Sequence, residues 1–326
     1  MSMSNVLILS AGRRVELIER FKRAKQRLGI EGKIVAADIS LTAPAMHFAD
    51  VHYQIPRIGA EGYIDSIVSV CREENINLIV PTIDTELLVL SENRVSIEER
   101  TNAKVLISDE RVVSICRDKN NTQCFFEDYG FGVPKQLRDK DIRSGNFSYP
   151  LFIKPKDGSS SINTFKINNE HELEFFSSYI KEPLIQEYIE GTEYSVDVFC
   201  DFDSNPITIV PRIRLATRGG EILKGRIVKD REIISDITRM IDILKPIGHI
   251  TIQCMKTANG IKYIEINPRF GGGAPMSIDA GADSCENLYR LLNGEKLTYN
   301  EDYIDNALFV RFDNSIMIDE NMRRIK

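Results

Sequence analysis

Glu265, Asn267 and Arg269 stand two residues apart in the run Ile264-Glu265-Ile266-Asn267-Pro268-Arg269. Successive side chains of an extended strand point to opposite faces, so this spacing gathers a carboxylate, an amide and a guanidinium on one face and sends Ile264 and Ile266 to the core. Carboxylate and amide oxygens are hard ligands that suit Mg2+, which usually keeps waters and substrate phosphates in the rest of its shell. A guanidinium grips a phosphoryl group or a carboxylate with two parallel hydrogen bonds. The implied chemistry is metal-assisted handling of nucleotide phosphates.

The elements that must present these groups start with a hairpin. Residues 251–255 read as the antiparallel partner strand and Ala258-Asn259-Gly260 as the turn. A two-residue Asn-Gly turn pairs Gln253 with Ile266 on the buried face, whereas a three-residue loop pairs it with Glu265 on the polar face. The longer loop is expected, with Cys254 turned inward. An ordinary amphipathic hairpin with a solvated polar face has the same pattern.

Upstream, residues 5–110 alternate strand-sized apolar runs (6–9, 34–37, 78–80, 104–107) with amphipathic stretches, which predicts βαβ units and a Rossmann-like parallel sheet. The first turn, Ser10-Ala11-Gly12-Arg13-Arg14, lacks the Gly-x-Gly-x-x-Gly fingerprint, so a nicotinamide-dependent oxidoreductase is disfavoured. Ligands of open α/β sheets gather at the carboxyl ends of strands, which here offer Gly12, Arg13, Arg14, Asp38, Thr82, Asp84 and Glu86. Helix capping by Ser10 and Asp84, beside solvated arginines, explains the same residues equally well.

A helix opens at Asp118-Lys119 and ends at Gly130-Phe-Gly-Val-Pro134. A small α+β lobe follows, and beyond Gly191 come longer antiparallel strand candidates at 193–200, 207–215 and 221–228. The expected division is 1–112, 113–190 and 191–326.

With 42% hydrophobic and 28% charged residues and 12 prolines in 326, the composition is that of an ordinary globular protein. No apolar run is long enough for a membrane span or a secretory signal, so a cytoplasmic protein is expected. The six cysteines lack metal-site spacing and read as reduced thiols. A net charge of −6 argues against a nucleic-acid partner and leaves small molecules.

Five signals stand in order: Asp118-Lys119, Tyr149-Pro-Leu-Phe-Ile-Lys154-Pro, Asp157-Gly-Ser-Ser-Ser161, Gln186-Glu-Tyr-Ile-Glu-Gly-Thr-Glu193, and Gln253 with Glu265-Ile-Asn267-Pro-Arg269. Together they resemble the ATP-grasp superfamily, in particular ligases similar to a single-copy carbamoyl phosphate synthase large subunit. The resemblance implies a Rossmann-like pre-ATP-grasp domain followed by two α+β lobes that clamp ATP. It casts Lys119 and Lys154 as phosphate-neutralising cations, and Ser159, Ser160 and Ser161 as a phosphate-cradling lid, poorer in glycine than is usual. It makes Glu187, Tyr188 and Ile189 the adenine hinge, Glu193 the ribose acid, Gln253, Glu265 and Asn267 the ligands of Mg2+ (or Mn2+), and Arg269 the group that stabilises the transferred phosphoryl. The activity implied is ATP-dependent joining of a carboxylate to an amine or ammonia through an acyl phosphate, with a homodimer as the assembly. A catalytically silent ATP-binding regulator is the second reading, prompted by the lid.

Overall fold

Runs such as Val6-Leu-Ile-Leu9 have no polar face for solvent and suit strands buried on both sides. In the computed structural model, which describes residues 3–156 and 162–325, β1 (Asn5–Leu9), β2 (Ile34–Asp38), β3 (Val51–Gln54), β4 (Ile76–Val80) and β5 (Lys104–Val105) form a parallel sheet in the order β3-β2-β1-β4-β5. β3 is not among the four strands expected from apolar runs. Its Val-His-Tyr-Gln alternates half-buried and exposed positions at the sheet edge, so it carries no continuous apolar signal. Helices α1 (Val15–Arg27), α2 (Tyr63–Glu73) and α3 (Asp84–Arg100) cover the sheet. The strand order reverses between β1 and β4, which is where open α/β sheets bind ligands.

Helices α4 (Glu110–Arg117) and α5 (Lys119–Asp128) lead out of this domain, each capped by an aspartate, Asp109 and Asp118, whose carboxylate accepts from amides of the first turn. A four-stranded antiparallel sheet follows: β6 (Gln136–Leu137), β7 (Leu151–Pro155), β8 (Phe165–Ile167) and β9 (Pro183–Glu187), in the order β6-β9-β7-β8, with α6 (Asp139–Ser144) and α7 (Glu170–Tyr179). The last sheet has β10 (Thr192–Cys200), β11 (Pro206–Arg218), β12 (Glu221–Ile227), β13 (Gly248–Thr257), β14 (Gly260–Asn267) and β15 (Leu308–Val310), in the order β14-β13-β10-β11-β12-β15. It carries α8 (Arg231–Leu244), α9 (Ala274–Asp279) and α10 (Ser284–Leu292).

Two shared cores fix how these units meet. Val112, Phe125, Phe126 and Phe131, within or next to the segment 113–190, pack with Val196, Ile252 and Ile266, so α4 and α5 belong by packing to the six-stranded sheet. Phe21 of α1 meets Phe270 and Tyr289 edge-on at 6.1 and 6.0 Å, welding the first domain to the last third of the chain.

The β13–β14 hairpin pairs Gln253 with Glu265, but not through the three-residue loop expected. Thr257 pairs with Gly260, leaving a two-residue turn of Ala258 and Asn259, with Gly260 at φ 106°. Carried on unbroken, that register would place Ile264 opposite Gln253. A β-bulge between Cys254 and Gln253 leaves Ile264 as the extra residue and brings Glu265 into the pair. Ile264 is therefore half-buried rather than core-facing, while Tyr263, Ile266 and Cys254 pack inward.

Candidate active site

The bulged hairpin forms one wall of a cleft of about 930 Å3 that lies between the first sheet's carboxyl edge, α5 and the six-stranded sheet. Along β14 the polar row is hydrogen-bonded to itself. Asn267 Nδ2 donates to Glu265 Oε1 at 3.0 Å, and Arg269 Nη2 donates to Asn267 Oδ1 at 3.2 Å. Arg269 Nη2 also meets Asp84 Oδ2 at 2.7 Å. Asp84 thus acts as an ion-pair partner across the domain junction rather than as a helix cap. Ser10 does not cap either: its hydroxyl donates to Glu86 Oε2 at 2.7 Å.

Opposite Glu265 are two lysines. Lys119, the first residue of α5, lines the cleft and donates to the carbonyls of Pro155 and Lys156 at 3.3 and 3.1 Å. Lys154 follows the buried Ile153 on β7 and so points away from that lobe's core. Burial, opposed by Glu265 and reinforced by Lys119, pushes its ammonium down to about 8. That coupling places Lys154 in the field of the Glu265 carboxylate and of the neighbouring Lys119 ammonium.

The other expected site residues fall elsewhere. Ser159, Ser160 and Ser161 lie outside the described residues. Glu187, Tyr188 and Ile189 sit where the chain passes from the four-stranded to the six-stranded sheet, off the cleft wall. Glu187 Oε1 accepts from the Lys135 amide at 2.8 Å, and Lys166 Nζ lies 4.2 Å from the centroid of the Tyr188 ring. The Glu193 carboxylate is 2.9 Å from Arg214 Nε. Five basic residues on β11 and β12 divide differently: Arg212 and Arg214 do line the cleft, whereas Arg218 is exposed and paired with Asp313, and Lys224 and Arg226 are exposed as well.

A buried network behind the row was missed in the sequence. Asp197, 1% exposed, accepts from Arg212 Nη2 at 3.0 Å, Ser277 Oγ at 2.5 Å and Thr251 Oγ1 at 2.9 Å. Burial would raise this carboxyl, but the Arg212 charge, the His249 ring 3.6 Å away and the bond from Ser277 outweigh it and hold the carboxyl well below the usual range. His249 is a core histidine, stacked on Phe270 at 4.4 Å and bonded to Ser284. The available signal was a lone aspartate in the middle of the apolar strand Tyr194-Ser-Val-Asp-Val-Phe-Cys200, since a buried charge needs partners.

Glycines 271–273 follow Arg269 because side chains already fill the space their Cβ atoms would take. A Cβ would lie 2.8 Å from Thr251 Oγ1 at Gly271, 3.1 Å from Arg14 Nη1 at Gly272 and 2.6 Å from the Arg212 guanidinium at Gly273. Arg212 is 2% exposed and held by Asp197, so it has little room to move. Gly273→Ala is therefore expected to destabilise the protein by about 1–3 kcal/mol in denaturant titration. An unchanged midpoint would mean that Arg212 shifts freely.

The donor set fits a metal carried in by a polyphosphate. One carboxylate (Glu265) and the amides Asn267 and Gln253 leave most of an octahedral shell to phosphate oxygens and water, as Mg2+ prefers. Among the described residues no group of three or more His, Cys, Asp or Glu forms a self-sufficient metal cage.

Fold and cleft together define a Rossmann-like domain joined to a two-lobed nucleotide clamp. Residues 6–106 match the family model of PylC-like N-terminal domains and residues 116–273 that of the ATP-grasp domain, so the chain carries an ATP-grasp domain behind a PylC-like N-terminal domain. It is 23% identical over 192 residues to D-alanine–D-alanine ligase B of Clostridium perfringens, covering 52% of this chain and 63% of that protein. It is 23% identical over 140 residues to the carbamoyl-phosphate synthase of Methanobrevibacter smithii, covering 41% and 38%. The chain thus spans less than two thirds of either relative. In fold it resembles the biotin carboxylase domain of Hydrogenobacter thermophilus 2-oxoglutarate carboxylase, solved with magnesium ADP and bicarbonate (TM-score 0.73, 20% identity, 94% of this chain and 74% of that one). The L-amino acid ligase of Bacillus licheniformis is similar too (TM-score 0.68, 17% identity, 91% and 75%). Among the described residues no helix is long and apolar enough to cross a membrane.

Proposed function

We propose that the protein is an ATP-dependent ligase that joins a carboxylate to an amine or ammonia through an acyl phosphate, releasing ADP and phosphate. The observation that carries this reading is the hydrogen-bonded row Glu265-Asn267-Arg269, coupled electrostatically to Lys154 on the other lobe. The names of the relatives, two of them amino-acid ligases and one a carbamoyl-phosphate synthase, support activation of a carboxyl group by ATP.

Gln253, Glu265 and Asn267 are the residues that would hold Mg2+, with Mn2+ meeting the same donors. The ion, when bound, neutralises phosphate charge and aligns the terminal phosphate. Lys119 and Lys154 neutralise the phosphates from the α5 and β7 side. A substrate carboxylate oxygen attacks the terminal phosphorus and the bond to ADP breaks. Arg269, fixed by Asp84 and Asn267, holds the transferred phosphoryl oxygens throughout. The amine nitrogen then attacks the acyl carbon, phosphate leaves with the bonding pair, and the amine gives up a proton. The hinge at Glu187, Tyr188 and Ile189 receives adenine and Glu193 the ribose. A homodimer is the assembly proposed, as in the biotin carboxylase domain solved as a dimer.

The test is phosphate release from Mg-ATP across a panel of carboxylates and amines. Release that needs both substrates is expected. Nucleotide binding without substrate-dependent release would overturn the ligase reading in favour of a silent regulator.

A further inference from the structure

Three guanidiniums from three elements converge on the glycine loop 271–273. Arg269 Nη1 lies 3.6 Å from the position of a Cβ at Gly271, Arg14 Nη1 3.1 Å from one at Gly272, and Arg212 Nη1 2.6 Å from one at Gly273. Two of these cations have a carboxylate of their own: Arg269 pairs with Asp84 at 2.7 Å and Arg212 with Asp197 at 3.0 Å. Among the described residues Arg14 forms no such pair. Its Nη2 donates to the Thr82 carbonyl at 3.1 Å, and the two carboxylates close enough to favour its charge are engaged elsewhere, Glu221 by Arg311 at 3.5 Å and Asp84 by Arg269 at 2.7 Å.

Arg14 projects from the turn after β1, at the point where the strand order reverses, and lines the same cleft as Arg269, whose charge it feels. Burial first, then the like charge of Arg269, push it down to about 10, so it remains a cation at neutral pH. A largely buried cation beside a second cation, open to a cleft and near only carboxylates that are already paired to other arginines, is complete only when an anion enters. The nucleotide phosphates have Lys119 and Lys154 on the opposite side, which leaves the substrate as the source.

Resting on the ligase reading, we infer that the acid substrate carries a second carboxylate, remote from the one activated, and that Arg14 docks it. The acid rather than the amine is implicated because Arg14 adjoins Arg269, which holds the phosphoryl group as it passes to the reacting carboxylate. One small diacid reaches from that carboxylate to Arg14, which fixes which end reacts. Arg14 is then a specificity-determining residue contributed by the first domain.

The test measures binding to the full chain in Mg-ADP by titration calorimetry. Probes are the diacids from malonate to adipate, aspartate and glutamate, and monoacids of matching length. Some diacid of the series should bind at least about 30-fold tighter than its monoacid, the size expected for a buried charge-assisted pair. Arg14→Gln should collapse that ratio towards one, and Arg14→Lys should restore it in part, with Mg-ADP affinity reporting that the cleft is folded. Equal affinity for diacids and monoacids in the wild type, or a ratio that survives in Arg14→Gln, overturns the inference. The ligase reading is scored separately by trapping acyl phosphate with hydroxylamine in the presence of Mg-ATP. Diacid preference without hydroxamate upholds Arg14 and sinks the ligase; hydroxamate without diacid preference does the reverse.

Discussion

Replacing Glu265 with Gln should lower kcat by about 10²–10³-fold at fixed Mg2+ while leaving the stability within about 0.5 kcal/mol of wild type. Gln keeps the volume and an oxygen able to accept from Asn267 Nδ2, now 3.0 Å from Glu265 Oε1, so the row and the bulge persist. What disappears is the negative charge. That charge also favours the ammonium of Lys154, which burial already pushes down to about 8. A lysine with a lowered pKa is charged below that value and neutral above it, so kcat/KM for ATP in the wild type should fall as pH rises through about 8. In the Gln variant the fall should begin at lower pH. The stability sign runs the other way: the unfolded lysine holds its proton up to its ordinary 10.5, so this group's penalty is relieved as pH rises from about 8 towards that value. Steady-state kinetics against pH and Mg2+, with denaturant melts of both proteins, check the prediction. Parallel loss of activity and folding would remove Glu265 from its assigned role.

Asp197→Asn should cost about 3–5 kcal/mol of folding stability, because it leaves the Arg212 guanidinium buried without its counter-charge. Arg212 is 2% exposed and two of its nitrogens, Nε and Nη1, have no partner even in the intact protein. Adding Arg212→Met should recover most of the loss, since an apolar pair of similar volume carries no desolvated charge. Because the Asp197 carboxyl titrates well below its ordinary value of 3.8, its contribution is fully present above that value and is lost as pH falls below it. The Asn variant should therefore show a flatter acid limb in its stability profile. A loss under about 1 kcal/mol, or no recovery in the double variant, would show that Arg212 finds other compensation.

Much of this was legible from alternation alone. Glu265, Asn267 and Arg269 two residues apart announce a shared face, and unbroken apolar runs announce buried parallel strands. The pairing of Gln253 with Glu265 was correctly anticipated for the wrong reason, since a turn one residue shorter is offset by one extra residue at Ile264. Such a bulge has no compositional signature, because Tyr-Ile-Glu-Ile reads the same in either register. β3 escaped notice because an edge strand half open to solvent need not be apolar. Contacts between distant segments were the least visible. Asp84 with Arg269, or Arg14 against Gly272, depends on how the first sheet docks against the last, which no local pattern encodes.

The packing of Phe21 against Phe270 and Tyr289 has a consequence for biosynthesis. One side of the first sheet is covered by residues translated far later, including Ala274, Ile278 and Leu288. While the ribosome is still making the middle of the chain, that apolar side stays bare and prone to aggregate. Chaperone dependence of the nascent polypeptide should thus end only when the stretch around Tyr289 has emerged from the exit tunnel.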